Sequence, residues 1–251
     1  MYLQDVDNNY IYPLFKVELN HCDNLVDYNV KNLFPKIFKG FDVTYLEFPF
    51  DTKDILGHTM KDSLGLSVTV NKNINDPARK LFTQAHEFGH ILIHEPILKS
   101  SSIDFVNSIK ESNLNKVEQE ANWFAANLIL PVQVAYAHII EKHTAKQIRF
   151  FSGLSVQSSL FRLGNVLKKI YWIQDEQLIE RIIKQYESCK HSYEVELSAL
   201  YKILNQGYKL PHIDSTSAIE EVQNSPELIA KLRQNSNLAD SIAKSSLSTF
   251  H

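Results

Sequence analysis

Five consecutive residues, His86-Glu87-Phe88-Gly89-His90, carry the most directly readable chemistry in this chain. Residues four apart on an α-helix lie on one face, about 5–6 Å apart at Cβ, so His86 and His90 can offer imidazole nitrogens to one tetrahedral ion. Glu87 projects beside that ion. There its carboxylate can take a proton from a water polarised by Zn2+ and later deliver it to a leaving amine. This is the logic of the H-E-x-x-H pattern. Gly89 weakens such a helix by about 0.5–1 kcal/mol relative to Ala, which implies that something approaches closely there.

A catalytic zinc site takes three protein ligands and keeps one position open, so a third donor must lie elsewhere. The three-histidine solution of the metzincins would need glycine at the position of Ile93 and histidine at that of Pro96. A following helix offers the alternative: Val117-Glu118-Gln119-Glu120-Ala121-Asn122-Trp123-Phe124-Ala125 contains two glutamates. At about 100° per residue these point about 200° apart, so only one can reach the ion. Both flank the apolar stripe Val117, Ala121, Phe124 and Leu128, and spacing alone does not choose between them. His94 extends the histidine row by another turn. Three histidines at successive turns spread over about 12 Å of helix axis, which places His94 behind the metal rather than on it.

The elements that must position these residues are legible around them. Asp76-Pro77 supplies a cap and a first helical residue, and the run 78–94 follows as a long amphipathic helix in which Leu81, Phe82, Ala85, Phe88 and Ile91 can pack. Before it, Asp42-Val-Thr-Tyr-Leu-Glu-Phe48 is rich in β-branched and aromatic residues and closed by Pro49, which predicts a strand. Gly57 and the cluster Lys61-Asp62-Ser63 provide turn chemistry, and residues 65–71 alternate with period two, so an antiparallel hairpin is expected there. Residues 12–38 read as one or two short helices interrupted by Pro35, and 95–114 as a polar, irregular connection. Further helices are expected at 115–130, stopped by Pro131, at 134–143, as a pair within 145–167, and across 176–204. Past Pro211 serine recurs and apolar content thins, which predicts short helices or a flexible tail.

Bulk properties are those of an ordinary globular protein. Of 251 residues, 44% are hydrophobic and 22% charged, enough for a real core. Lys and Arg number 26 against 29 acidic residues, a formal charge of -3, so no overall field draws the chain to nucleic acid. Two cysteines, Cys22 and Cys189, stand far apart without C-x-x-C spacing, which argues against a thiolate site or a disulfide framework and fits a reducing cytoplasm. No secretory leader or run of about 18 apolar residues is evident, so no membrane association is expected.

Phe82-Thr-Gln-Ala-His-Glu-Phe-Gly-His90 followed by Glu118-Gln-Glu-Ala-Asn-Trp-Phe-Ala-Ala-Asn-Leu-Ile-Leu-Pro131 resembles the ImmA/IrrE family of metallopeptidases, over about residues 40 to 167. The resemblance implies an α+β fold: a zincin-like core with a small antiparallel sheet packed on the metal-binding helix, plus a mainly helical C-terminal extension. Together with the elements read above, this divides the chain into an N-terminal helical segment at 1–40, a metallopeptidase core at 41–144, a helix-turn-helix-like unit at 145–170, and a helical extension at 171–251, of which the resemblance covers only about 40 to 167. It assigns Glu87 as catalytic base and His86, His90 and Glu120 as Zn2+ ligands, with Glu118 as the alternative. The implied activity is cytoplasmic zinc-dependent cleavage of a helix-turn-helix repressor-type protein, regulating a mobile element or stress response. A second reading is a zinc-stabilised protein that binds and displaces such a repressor without cutting it. Direct nucleic-acid binding through Arg149 or Arg162 is conceivable in the 145–167 unit, but with so few basic residues a structural or docking role is the expectation.

Overall fold

The computed structural model describes residues 6–51, 55–94, 98, 111–171 and 173–206. The expectations for the middle of the 95–114 connection and for the region past Pro211 lie outside the described residues. The chain divides into two compact units, Met1–Pro131 with Phe151–Ser155, and Val132–Phe150 with Val156–His251.

The first unit holds the candidate chemistry. A turn of π-helix (Asp7–Ile11) leads into α1 (Tyr12–Leu19), a 3-10 turn at Leu25–Asp27 and α2 (Val30–Gly40). Pro35 does not interrupt α2, although it removes one backbone N–H from the helical ladder. The helix offsets that loss by burying one face, Val30, Leu33, Phe34, Ile37 and Phe38. Three strands follow, β1 (Val43–Phe48), β2 (Gly57–Asp62) and β3 (Gly65–Asn71), in the order β1-β3-β2. The β2–β3 hairpin is antiparallel, pairing Thr59 with Val68 and Gly57 with Val70. β1 runs parallel to β3, with Val43 opposite Leu66 and Phe48 opposite Asn71, so the sheet is mixed rather than wholly antiparallel. Central β3 contributes Val68 and Val70, both fully buried.

Helix α3 (Pro77–His94) lies against β2 and β3 on one side and α4 (Glu111–Ile129) on the other. Asp76 caps α3 as its sequence suggests, its Oδ1 accepting from the Ala78 N–H at 3.0 Å. Leu81, Ala85, Phe88 and Ile91 are buried, and so is the α4 stripe Val117, Ala121, Phe124 and Leu128. Phe88 is the hub of an aromatic cluster, edge-on to Phe38 and Phe41 and tilted against Phe124. The buried Tyr28 hydroxyl donates to the Leu128 carbonyl at 2.7 Å, so the C-terminal turn of α4 has a partner for that orphan acceptor. The fold is therefore α+β, mostly helical, with a small sheet on the histidine-bearing helix.

The second unit is helical: α5 (Val132–Ile140), α6 (Ala145–Ser152), α7 (Val156–Tyr171), α8 (Glu176–Ser188), α9 (Ser192–Leu197) and α10 (Ala199–Gln206). Within it the Gln185 side-chain oxygen accepts from the Ala199 N–H at 2.8 Å, and Tyr186 donates to the His143 carbonyl. Helices α6 and α7 are joined by residues 153–155, the short turn foreseen there. Arg162 is about as buried as a side chain can be, at 1% exposure, which removes it as a contact for nucleic acid, while Arg149 is exposed. The stretch Lys116–Ile140 is long and apolar enough to cross a membrane by length and composition alone, but it contains Glu118 and Glu120, and 61% of its most apolar 18-residue window is buried inside the protein.

Candidate metal centre

His86 and His90 occupy successive turns of α3, and their Nε2 atoms lie 3.0 Å apart. Glu118, from the middle of α4, brings Oε2 to 3.2 Å from His86 Nε2 and Oε1 to 3.6 Å from His90 Nε2. These donor atoms all lie within 4.8 Å of one another. For ligand bonds of about 2.0–2.1 Å, neighbouring corners of a zinc tetrahedron are about 3.3 Å apart, so the three separations bracket what zinc requires. The donor chemistry, two imidazoles and one carboxylate, also fits that ion.

Both imidazoles have a partner on Nδ1. His86 Nδ1 lies 3.0 Å from Asn122 Oδ1, and an amide oxygen can only accept, so His86 carries its proton on Nδ1. His90 Nδ1 lies 3.1 Å from Nδ1 of His94. Asn122 is one helical turn beyond Glu118, so a single face of α4 offers both a carboxylate to the pair and an orienting group to one member. Such partners behind a ligand are characteristic of metal-binding histidines.

Glu120 does not join this group. Its Oε2 lies 3.0 Å from His94 Nε2, one turn along α3 from His90, and both side chains are buried. The sequence resemblance assigned the third donor to Glu120; the structure brings Glu118 to the imidazole pair instead. The azimuth of α4 against α3, a tertiary quantity on which the spacing of the two glutamates is silent, sets which of them faces the pair.

Glu87 faces the sheet side of the same site. The Thr59 hydroxyl on β2 lies 2.7 Å from Glu87 Oε2 and 2.9 Å from the Glu87 carbonyl oxygen, so its one proton serves either acceptor. Gly57, two residues earlier on β2, leaves room for the carboxylate: a Cβ there would fall 2.7 Å from Glu87 Cγ and Oε1. Gly89 likewise answers the close approach its helix position implied, since an added Cβ would stand 2.9 Å from Phe124 Cδ1. Sequence reasoning did not single out Thr59 or Asn122. Asn122 was open to discovery through its i+4 relation to Glu118; Thr59 reaches Glu87 across 28 positions of chain and left no local signal.

The electrostatics follow the geometry. Burial pushes the Glu87 carboxyl above its ordinary range, and His86 and the Thr59 hydroxyl only partly offset this. Burial, aided by His86, pulls His90 down to about 3, which keeps it neutral and available as a donor. Burial also works against charge on His86, but Glu118, Glu87 and Asn122 outweigh it and hold His86 above its ordinary value. The hydrogen bond with His86 holds Glu118 below the usual carboxylate range.

Residues 38–162 match the family described as Peptidase_M78, IrrE N-terminal-like domain. Among curated proteins, uncharacterized immunity region protein 2 of Bacillus phage phi105 is 27% identical over 104 residues, which span 41% of this chain and 63% of the phage protein. The aligned region thus covers less than two thirds of that relative's length. Among solved structures, a Mycobacterium tuberculosis transcriptional regulator aligns with a TM-score of 0.43 at 15% identity, over 64% of this chain and 50% of that one. With the matched span enclosing α3, α4 and the whole sheet, residues 38–162 belong to the IrrE N-terminal-like family of metallopeptidases, Peptidase_M78.

Proposed function

We propose that this chain is a soluble, cytoplasmic zinc endopeptidase in which His86, His90 and Glu118 hold the ion and Glu87 is the catalytic base. The observation that carries the reading is the juxtaposition of a three-donor cluster with a buried carboxylate on the adjacent helical position. A purely structural zinc site is ordinarily closed by a fourth protein ligand and has no use for a base. When bound, zinc supplies Lewis-acid polarisation and a water of lowered pKa. The chain's own residues do the rest. Glu87, its proton affinity raised by burial, accepts a proton and can return it to a leaving amine. Thr59 and Gly57 fix where that carboxylate stands. Asn122 orients His86, and Glu118 spans both imidazoles.

For the substrate we propose a helix-turn-helix repressor-type protein, cleaved to regulate a mobile element or a stress response. The likeness to a phage immunity region protein supports this setting. Elemental analysis of purified wild type is expected to give about one zinc per chain, lost in Glu118→Ala and kept in Glu87→Gln. Mass spectrometry of a repressor incubated with wild type is expected to find fragments that Glu87→Gln does not produce. If Glu87→Gln still relieves repression with the repressor intact, the chain acts by displacement and the peptidase reading is wrong.

A further inference from the structure

We propose that His94 and Glu120 form a buried relay that orients His90 toward the metal, so that Glu120 serves the site from one imidazole further back. This inference rests on the zinc site proposed above and extends it to two residues outside the His86, His90 and Glu118 cluster. His94 is the next residue along the histidine row of α3, and Glu120 lies on α4; both are 5% exposed. His90 Nδ1 and His94 Nδ1 are 3.1 Å apart, and His94 Nε2 is 3.0 Å from Glu120 Oε2.

The protons along this row are dictated by the acceptor at its end. With the Glu120 Oε2 accepting, the hydrogen between the two lies on His94 Nε2. A neutral imidazole has one N–H, so His94 Nδ1 presents a lone pair. That lone pair accepts from His90 Nδ1–H. His90 is then left with its own lone pair on Nε2, the atom 3.0 Å from His86 Nε2 and 3.6 Å from Glu118 Oε1. Reversing any link would put a hydrogen on His90 Nε2 and close that nitrogen to a metal.

The two metal-facing imidazoles are thus supported differently. His86 leans on the neutral amide of Asn122, while His90 is backed through a second imidazole by a carboxylate. A buried pair that merely fastened α3 to α4 would need no particular tautomer and would leave zinc affinity alone.

Two measurements on the full chain test this. In zinc-loaded wild type, 15N spectra of the histidines are expected to place the His94 proton on Nε2 and the His90 proton on Nδ1; a His94 proton on Nδ1 overturns the relay. Zinc affinity by competition with a chromogenic chelator is expected to fall about 10–100-fold in His94→Phe, and by a smaller factor in Glu120→Gln. The double variant is expected to bind no more weakly than His94→Phe alone, because both changes act through His90. Variants that keep the wild-type circular dichroism and bind zinc within about twofold of wild type, or losses that multiply in the double variant, overturn the proposal. If His94→Phe fails to fold, the tautomer assignment in wild type still decides. Wild type that takes up no zinc fails one step earlier, and that result sinks the metal reading itself along with this one.

Discussion

At the scale of single residues, two glycines mark where the site leaves no spare volume. Gly89 faces Phe124, whose ring is fully buried and whose Cδ1, Cγ and Cβ would lie 2.9, 3.3 and 3.4 Å from an added Cβ. Gly89→Ala gains about 0.5–1 kcal/mol of helix propensity but forces a core ring to move, at about 1–3 kcal/mol. The net expectation is a lower urea midpoint with unchanged slope; an equal or higher midpoint would show that Phe124 yields freely. The histidine pair and the glutamate beside it could be read from the chain because their relation is internal to one helix. Glu118 and Glu120 could not be told apart, because both satisfy every local criterion and differ only in which way α4 is turned. The same limit hid Thr59, whose role exists only once β2 is laid against α3.

At the scale of elements, boundaries written in capping chemistry were legible and pairings between distant segments were not. Asp76-Pro77 marks the start of α3, and Pro131 follows closely on the end of α4, because each acts on the backbone beside it. The hairpin of β2 and β3 was legible from its turn residues and from the alternation in β3. The parallel docking of β1 was not, since nothing in residues 42–48 encodes the direction of a partner. Pro35 misled for the converse reason: its local cost is real, and the buried face of α2 outweighs it only in the folded molecule. Since α3 carries both imidazoles and Glu87, its first turn bears on the site. Asp76→Ala is expected to lower stability by about 1 kcal/mol, read as a drop in the thermal midpoint. No change would mean that another group takes over the Ala78 N–H.

At the scale of the whole molecule, the proposed metal site would link binding to folding through the joint between α3 and α4. The donors come from two different helices, with His90 and Glu118 28 positions apart in the chain, so an unfolded chain cannot assemble them. Zinc at about 100 times its dissociation constant is expected to add about 2.7 kcal/mol to the unit that binds it. That corresponds to a rise of about 5–10 °C in its melting transition, reversed by chelator. A melting curve indifferent to both zinc and chelator would contradict the site as described.

The contact between Gly89 and Phe124 has one further meaning. It sets the gap between the helix that supplies two nitrogens and the helix that supplies an oxygen, so the bite of the site is gauged by a single hydrogen atom. Zinc sits about 2.0–2.2 Å from such donors, whereas calcium asks for about 2.3–2.6 Å and six to eight oxygens. A glycine five residues before the end of α3 would therefore bear on which ion the proposed site takes, since a side chain there would part the two backbones and suit a cation larger than zinc.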